Sequence, residues 1–274
     1  MVARILHISD LHLGRHESPE PYAALLDLRR RLDPELIVVT GDLTHRGRRS
    51  ELERARTQLD ALEAPVLAVP GNHDIPYTLP ARFTTTFAEW ERAFGAAEPE
   101  YASTDLAVAG LNSVRPWRQQ QGALERAQLV GVAAKLERAH DGALRVVAFH
   151  HHLAAPPWRA PRKRPLHRRD EVLQELAEAG AELVLGGHVH QASIAERREF
   201  EALDGASVPS LVLVTAPGFS RVRPHRKGEA LGLNVIETDT ETLAVLTYAW
   251  VGTRFEQIGR RSFGRLNPRP ERTP

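Results

Sequence analysis

The chain has 274 residues, 42% hydrophobic and 26% charged, which excludes a disordered polymer and gives enough apolar side chains for a core without covalent staples. It contains no cysteine, so disulfides and thiolate metal sites are excluded and any bound metal must be held through oxygen and nitrogen. A formal net charge of +1 gives the molecule no overall attraction for nucleic acid or an anionic membrane, and no apolar run approaches the roughly 20 residues of a membrane span.

From Met1 to Ile8 the N-terminus turns polar too quickly for a signal-peptide core, so a cytoplasmic location is expected. Short Val/Ile/Leu-rich runs at 4–8, 36–40, 66–69, 106–111, 144–149 and 182–185 are strand candidates. Between them, Leu25/Leu28/Leu32, Leu52/Ala55/Leu59/Leu62 and Leu129/Val132/Leu136 each trace one apolar stripe at helical spacing. Trp90 with Phe87 and Phe94 fits a further helix facing the core. Strands buried on both faces and joined by helical crossovers make the α/β class.

After His190 the texture changes to runs at 210–215, 231–237 and 243–250, separated by Gly, Pro and Asp-rich turns. These predict a second, largely antiparallel sheet. A single domain is expected over 1–259, with an Arg/Pro-rich flexible tail over 260–274.

Five strand candidates end in a polar cluster: Asp10-Leu11-His12, Gly41-Asp42, Gly71-Asn72-His73-Asp74, His150-His151-His152 and Gly187-His188-Val189-His190. In open α/β sheets the strand C-termini share one edge, where ligand sites form. Extended backbone points residues two apart to one side, which would let Asp10 act with His12 and His188 with His190. Glycines at 41, 71 and 187 would let the backbone approach an ion closely. His7, inside the first strand candidate, reads as a hydrogen-bonded core residue, and His45 as solvated or supporting.

Asp10, His12, Asp42, Asn72, His150, His188 and His190 are too many ligands for one catalytic ion that must keep an open position. Two ions fit better. If Asp42 bridges, each receives four protein ligands, as in two-metal sites with ions about 3.5–4 Å apart. Mixed imidazole, carboxylate and amide ligation suits Mn, Fe, Co or Zn better than Mg or Ca.

Taken in order, Asp10-x-His12, Gly41-Asp42, Gly71-Asn72-His73-Asp74, His150 and Gly187-His188-x-His190 resemble the motif set of the calcineurin-like metallophosphoesterase superfamily, over residues 8–190. The resemblance implies a two-sheet αββα sandwich with its metal site at the strand C-terminal ends, and a metal-bridging hydroxide that attacks phosphorus. It implies that Asp10, His12, Asp42 and His190 hold one metal and that Asp42, Asn72, His150 and His188 hold the other. His73 would contact the phosphoryl oxygen or protonate the leaving group, and Asp74 would orient His73.

Within the superfamily the chain looks most similar to class III cyclic nucleotide phosphodiesterases. That group often has a proline soon after the histidines, whereas this chain reads His150-His151-His152-Leu153, which leaves His151 as an alternative ligand or a substrate-facing residue. The expected reaction is hydrolysis of a phosphodiester in a small phosphorylated substrate, a cyclic nucleotide first. Phosphomonoesterase, nucleotide or lipid pyrophosphatase and nuclease are the alternatives. No long basic stripe supports the nuclease, and the full ligand set argues against a non-catalytic protein-binding scaffold. Just after the His150 cluster, Arg162, Lys163 and Arg164 crowd a Pro-rich stretch beginning at Trp158, either a solvated loop or one that overhangs the site and binds substrate.

Overall fold

A computed structural model describes residues 2–14, 19–118, 120–154, 163–199, 211–220 and 229–265. In chain order these form β1 (Ala3–Ile8), α1 (Pro19–Leu32), β2 (Leu36–Val39), α2 (Arg49–Asp60), β3 (Val66–Ala68), the short helices α3 (Ala81–Thr84) and α4 (Ala88–Phe94), β4 (Glu100–Ala102) and β5 (Leu106–Gly110). There follow α5 (Arg126–Glu137), β6 (Leu144–Ala148), α6 (Arg169–Glu178), β7 (Leu183–Gly186), β8 (Ser193–Glu196), β9 (Val212–Thr215), β10 (Gly232–Thr238), β11 (Thr242–Trp250) and β12 (Phe255–Gly264). All six early strand candidates and the three predicted apolar stripes are present. Trp90 is fully buried in α4, its ring stacked on Phe94 at 4.7 Å.

Two six-stranded sheets run β12-β11-β10-β1-β2-β3 and β4-β5-β6-β7-β9-β8. Residues at alternate positions explain why they stack. Ile5, Val38, Leu67 and Val245 of one sheet share a buried cluster with Val108, Val146, Leu185 and Val214 of the other. The intervening residues face outward, so Leu6, Ile37 and Val39 pack against α1 and α2, while Val147 and Val184 pack against α5 and α6. The result is the αββα sandwich, with three apolar layers.

The C-terminal strands differ from expectation. They make no sheet of their own. Instead, β10 pairs antiparallel with β1 and carries β11 and β12 outward, while β9 pairs parallel with β7 and holds β8 antiparallel at the edge. The reason is burial: five of the first residues of β10, Gly232 to Ile236, are buried on both faces, which suits an interior place beside β1.

The tail boundary also moves, because β12 continues through 260–264 and ends on two anchors. Phe263 enters the layer between the sheets, and the Arg265 guanidinium meets both oxygens of Glu182, at 2.9 and 3.0 Å. Arg265 also donates to the Gly142 and Asp239 carbonyls. Residues 266–274 lie outside the described residues. The clamp predicts that Arg265→Ala lowers unfolding stability by about 1–3 kcal/mol in denaturant titrations, because it strands a largely buried carboxylate, and that Lys restores only part of the loss.

Candidate metal centre

Three ligand clusters, with Asp10 and His12, Asp42, and Asn72, follow the ends of β1, β2 and β3 in one sheet, and the other two follow β6 and β7 in its partner, so the sandwich brings all five to one edge. Beyond the strands, pairing continues: Asp10 N donates to Gly41 O, and His12 N to Asp42 O, both at 2.9 Å. Polar bonds then cross the seam. His150 Nδ1 donates to Thr40 O at 2.7 Å, and His188 N donates to Asp10 Oδ2 at 2.9 Å.

The backbone reaches this arrangement by a route the spacing did not anticipate. Asp10, His12, Asp42, His188 and His190 all have positive φ, between 50° and 72°, in the left-handed region. Side-by-side presentation therefore comes from tight left-handed turns and not from extended chain. Such conformations cost about 1–3 kcal/mol each and persist only where the surroundings over-determine them. The glycines serve the protein's own packing: a Cβ on Gly71 would lie 2.2 Å from Asp42 N, and one on Gly187 would lie 1.9 Å from Ser9 Oγ. Both let loops touch loops beneath the ligands.

Two pairs of imidazole nitrogens face each other at the seam. His12 Nε2 is 3.1 Å from His190 Nε2, and His150 Nε2 is 3.1 Å from His188 Nδ1. Asp42 stands between them, with Oδ1 3.4 Å from His150 Nε2 and Oδ2 3.7 Å from His12 Nε2. Asp10 Oδ1 lies 3.1 Å from His190 Nε2, and Asn72 Oδ1 lies 3.2 Å from His150 Nε2. All seven residues are buried.

Facing imidazole nitrogens flanked by carboxylates form a donor set that, once deprotonated, fits divalent cations. Asp10 Oδ1 is buried and faces His190 Nε2 at 3.1 Å and His12 Nε2 at 3.8 Å, and Asn72 Nδ2 is buried without a hydrogen-bond partner, a cradle of donor atoms that a cation would fill. Asp10/His12/His190 and Asp10/Asp42/His150 each bring their donor atoms within 4.8 Å of one another. The bond from His150 Nδ1 to Thr40 O leaves Nε2 as its ligating nitrogen. At His188, Gln120 O lies 3.1 Å from Nε2, which leaves Nδ1 for the site; Lys163 Nζ, 3.3 Å from the same nitrogen, donates to the His188 carbonyl at 3.1 Å.

Charge follows from this packing. Burial alone would lower the His150 pKa, but the carboxylates of Asp42 and Asp10 override it and raise the value to about 9. His12 goes the other way, to about 3, because burial outweighs Asp42. Burial would raise both carboxylates, yet Asp10 is held below its usual range by His190, and Asp42 by His150 and His73. The metal-free centre thus keeps a proton on the Asp42–His150 pair.

Asp74 is placed differently from expectation. The Asp74 carboxylate accepts from Thr44 N, Thr44 Oγ1 and Gly71 N, at 2.8–3.0 Å. It ties the turn holding Asn72 to the β2 loop and does not touch the His73 ring, because the ring leaves the turn on the open side. Burial, then Asp42, raises the Asp74 pKa to about 6. His73 Nδ1 instead meets the His45 carbonyl at 2.9 Å and the Tyr77 hydroxyl at 2.8 Å, and the ring stands edge-on to His12 at 4.8 Å.

His151 is buried behind the centre, its Nδ1 2.9 Å from Ser113 Oγ and its ring 4.7 Å from His188. The basic segment is only partly visible: Lys163 reaches His188, Arg164 is exposed, and Arg162 and Trp158 lie outside the described residues. Sequence reasoning missed Tyr77, Ser113 and Gln120. Only Tyr77 carries a signal, standing four residues after His73. His7 behaves as predicted, buried with Nε2 3.0 Å from Thr40 Oγ1.

A two-sheet sandwich with two imidazole pairs around a shared carboxylate forms a His/Asp centre suited to divalent metal ions. Residues 3–192 match the family model described as calcineurin-like phosphoesterase, and the chain belongs to that family as a metal-dependent phosphoric ester hydrolase. A protein from Synechococcus sp. named as a probable cyclic nucleotide phosphodiesterase is 29% identical over 211 residues, which cover 72% of this chain and 77% of its own. A dimetal phosphatase from Danio rerio matches the fold with a TM-score of 0.66 and 14% identity, over 96% of this chain and 99% of its own. A purple acid phosphatase from yellow lupin matches at 0.71 and 11%, over 97% and 54%. Among the described residues no helix is long and apolar enough to cross a membrane.

Because a metal takes neutral imidazole while the His150 pKa stands near 9, uptake must displace a proton at neutral pH. Calorimetric titration with Mn²⁺ in two buffers of different ionisation enthalpy should show proton release. Apparent affinity should fall about tenfold per unit as pH drops below 9. A pH-independent affinity would remove His150 from the ligand set.

Proposed function

We propose that the protein hydrolyses a phosphodiester, with a cyclic nucleotide the first substrate to test, at a centre of two divalent ions drawn from Mn, Fe, Co and Zn. The position of Asp42 between the two imidazole pairs carries the two-metal reading. The name of the Synechococcus relative favours the diester. In this reading Asp10, His12, Asp42 and His190 hold one ion, and Asp42, Asn72, His150 and His188 the other. Bound divalent ions lower the pKa of water and neutralise phosphoryl charge.

The chain's own residues supply position and protons. His73 is half-buried at the open side, held at Nδ1 by His45 O and Tyr77, and its Nε2, 3.4 Å from the same Tyr77 hydroxyl, is the nitrogen proposed to meet a phosphoryl or leaving-group oxygen. Asp74 acts through the turn it fixes. The Lys163 ammonium beside His188 supports a phosphate-binding role for this cation; Arg162 and Arg164, its neighbours in sequence, are proposed to share that role, whereas the buried His151 acts from behind the centre. Since both sheets contribute ligands, residues 1–259 together with the rest of β12 act as one catalytic domain.

The test is a substrate panel in Mn²⁺ comparing aryl monoesters, aryl diesters, cyclic nucleotides and nucleotide diphosphates. The diesters should have the highest kcat/KM. A monoester preference would reject the diester reading and keep the metal centre. Asp42→Asn should lose more activity than Asp10→Asn, with metal content measured alongside, because the two Asp42 oxygens lie 3.4 and 3.7 Å from a nitrogen of each imidazole pair and Asp42 is the proposed bridge. His73→Asn should lower kcat by about 10²–10⁴-fold at unchanged metal content, with a smaller loss on an aryl ester whose leaving group needs no proton. Metal loss in parallel with rate would make His73 a ligand.

A further inference from the structure

Beside His73 the surface carries large apolar side chains that neither the core nor the metal centre uses. Leu79 is 73% exposed, Phe83 57%, Trp117 68% and Tyr77 39%. They come from two separate segments, 76–84 and 115–118, which Arg82 fastens together. Its Nε donates to Pro116 O at 2.9 Å, next to Trp117, and its Nη1 to Pro76 O at 3.1 Å, next to Tyr77. The Arg82 guanidinium also lies 5.8 Å from the centre of the Tyr77 ring.

This rim is continuous with the centre on both sides. Tyr77 touches His73 through its hydroxyl, and the Trp117 segment begins at Ser113, which meets His151, and returns to Gln120, whose carbonyl meets His188. Solvated aromatic side chains on two segments joined by one fixed cation, beside a phosphoester site, match the chemistry of a planar heteroaromatic group attached to a phosphate: ring faces for stacking and a guanidinium for the π system. A flexible polyol headgroup would use neither.

We propose that Tyr77, Phe83 and Trp117, held together by Arg82, form a stacking subsite for the nucleobase of a nucleotide-type phosphodiester. The proposal rests on the diesterase reading above and narrows its substrate class. In the Mn²⁺-loaded protein, kcat/KM is measured for a 3′,5′-cyclic nucleotide and for a ringless diester, glycerophosphoethanolamine, in the parent, Trp117→Ala and Phe83→Ala.

The ratio of the two kcat/KM values, cyclic nucleotide over ringless diester, should fall about tenfold in Trp117→Ala, within the range that base stacking on one aromatic side chain contributes. A ratio within twofold of the parent in both variants overturns the subsite. So does loss of binding to phosphatidylglycerol vesicles in Trp117→Ala with an unaltered ratio, which makes the rim a lipid-facing surface. A second measurement separates this proposal from the diesterase reading: adenosine monophosphate titrated into the Mn²⁺-loaded protein should quench tryptophan fluorescence, and Trp117→Ala should abolish the quenching. Quenching without turnover of either diester supports the subsite and rejects the diesterase reading. Absence of quenching in the parent overturns the subsite whatever the turnover.

Discussion

Asp42 holds a buried negative charge at the seam of the two sheets, with His12 on one side, His150 on the other and the His73 backbone amide donating to Oδ1 at 2.8 Å. A carboxylate taken out of water is tolerated only with charge or hydrogen-bond partners around it. Here the partners come from three loops and both sheets. The His150 pKa is raised because Asp42 and Asp10, with the Thr40 carbonyl, together outweigh burial, and divalent ions would replace the His150 proton with a larger compensating charge. The same constraint sets the fold of the edge, since Gly41 and Gly71 must lie backbone to backbone beneath Asp42.

The surrounding strands make such a site affordable. Left-handed backbone at Asp10, His12, Asp42, His188 and His190 stores local strain, and the parallel strands beneath them are buried in apolar layers on both faces. The loops inherit their positions from that rigid base. Where the strands stop, ladder-like bonds such as His12 N to Asp42 O and Gly187 N to His150 O continue the pairing, so each ligand has little freedom before a metal arrives. Preorganisation of this kind is what a centre needs if its charges are to act without rearrangement.

Residues around the ligands divide the work between fastening and chemistry. Asp74, adjacent to His73 in sequence, is turned inward to Thr44 and Gly71. His73 turns outward and is held by the carbonyl of His45 and the hydroxyl of Tyr77. Far from the site, the ion pair of Arg265 with Glu182 and the buried Phe263 hold β12 to the sandwich. The seam is thus secured by polar groups at the metal edge and by one cation beyond the end of β12.

The sequence by itself determined the strands, their helical crossovers, the polar side chains that meet at one edge and the family, because each rests on local signals: apolar periodicity, a Gly next to a polar residue, and fixed short spacings. His7 as a bonded core histidine and Trp90 as a core residue were legible for the same reason. Tertiary structure decided which strands become neighbours. Runs 231–237 and 243–250 read as antiparallel, yet only the apolar side of β1 explains why they extend the first sheet and do not form their own. It also decided the left-handed turns behind the paired ligands, the inward Asp74, and the meeting of Tyr77 with His73. These depend on what stands across the seam, up to 178 residues away in the contact of His12 with His190, and no local pattern of residues encodes that distance.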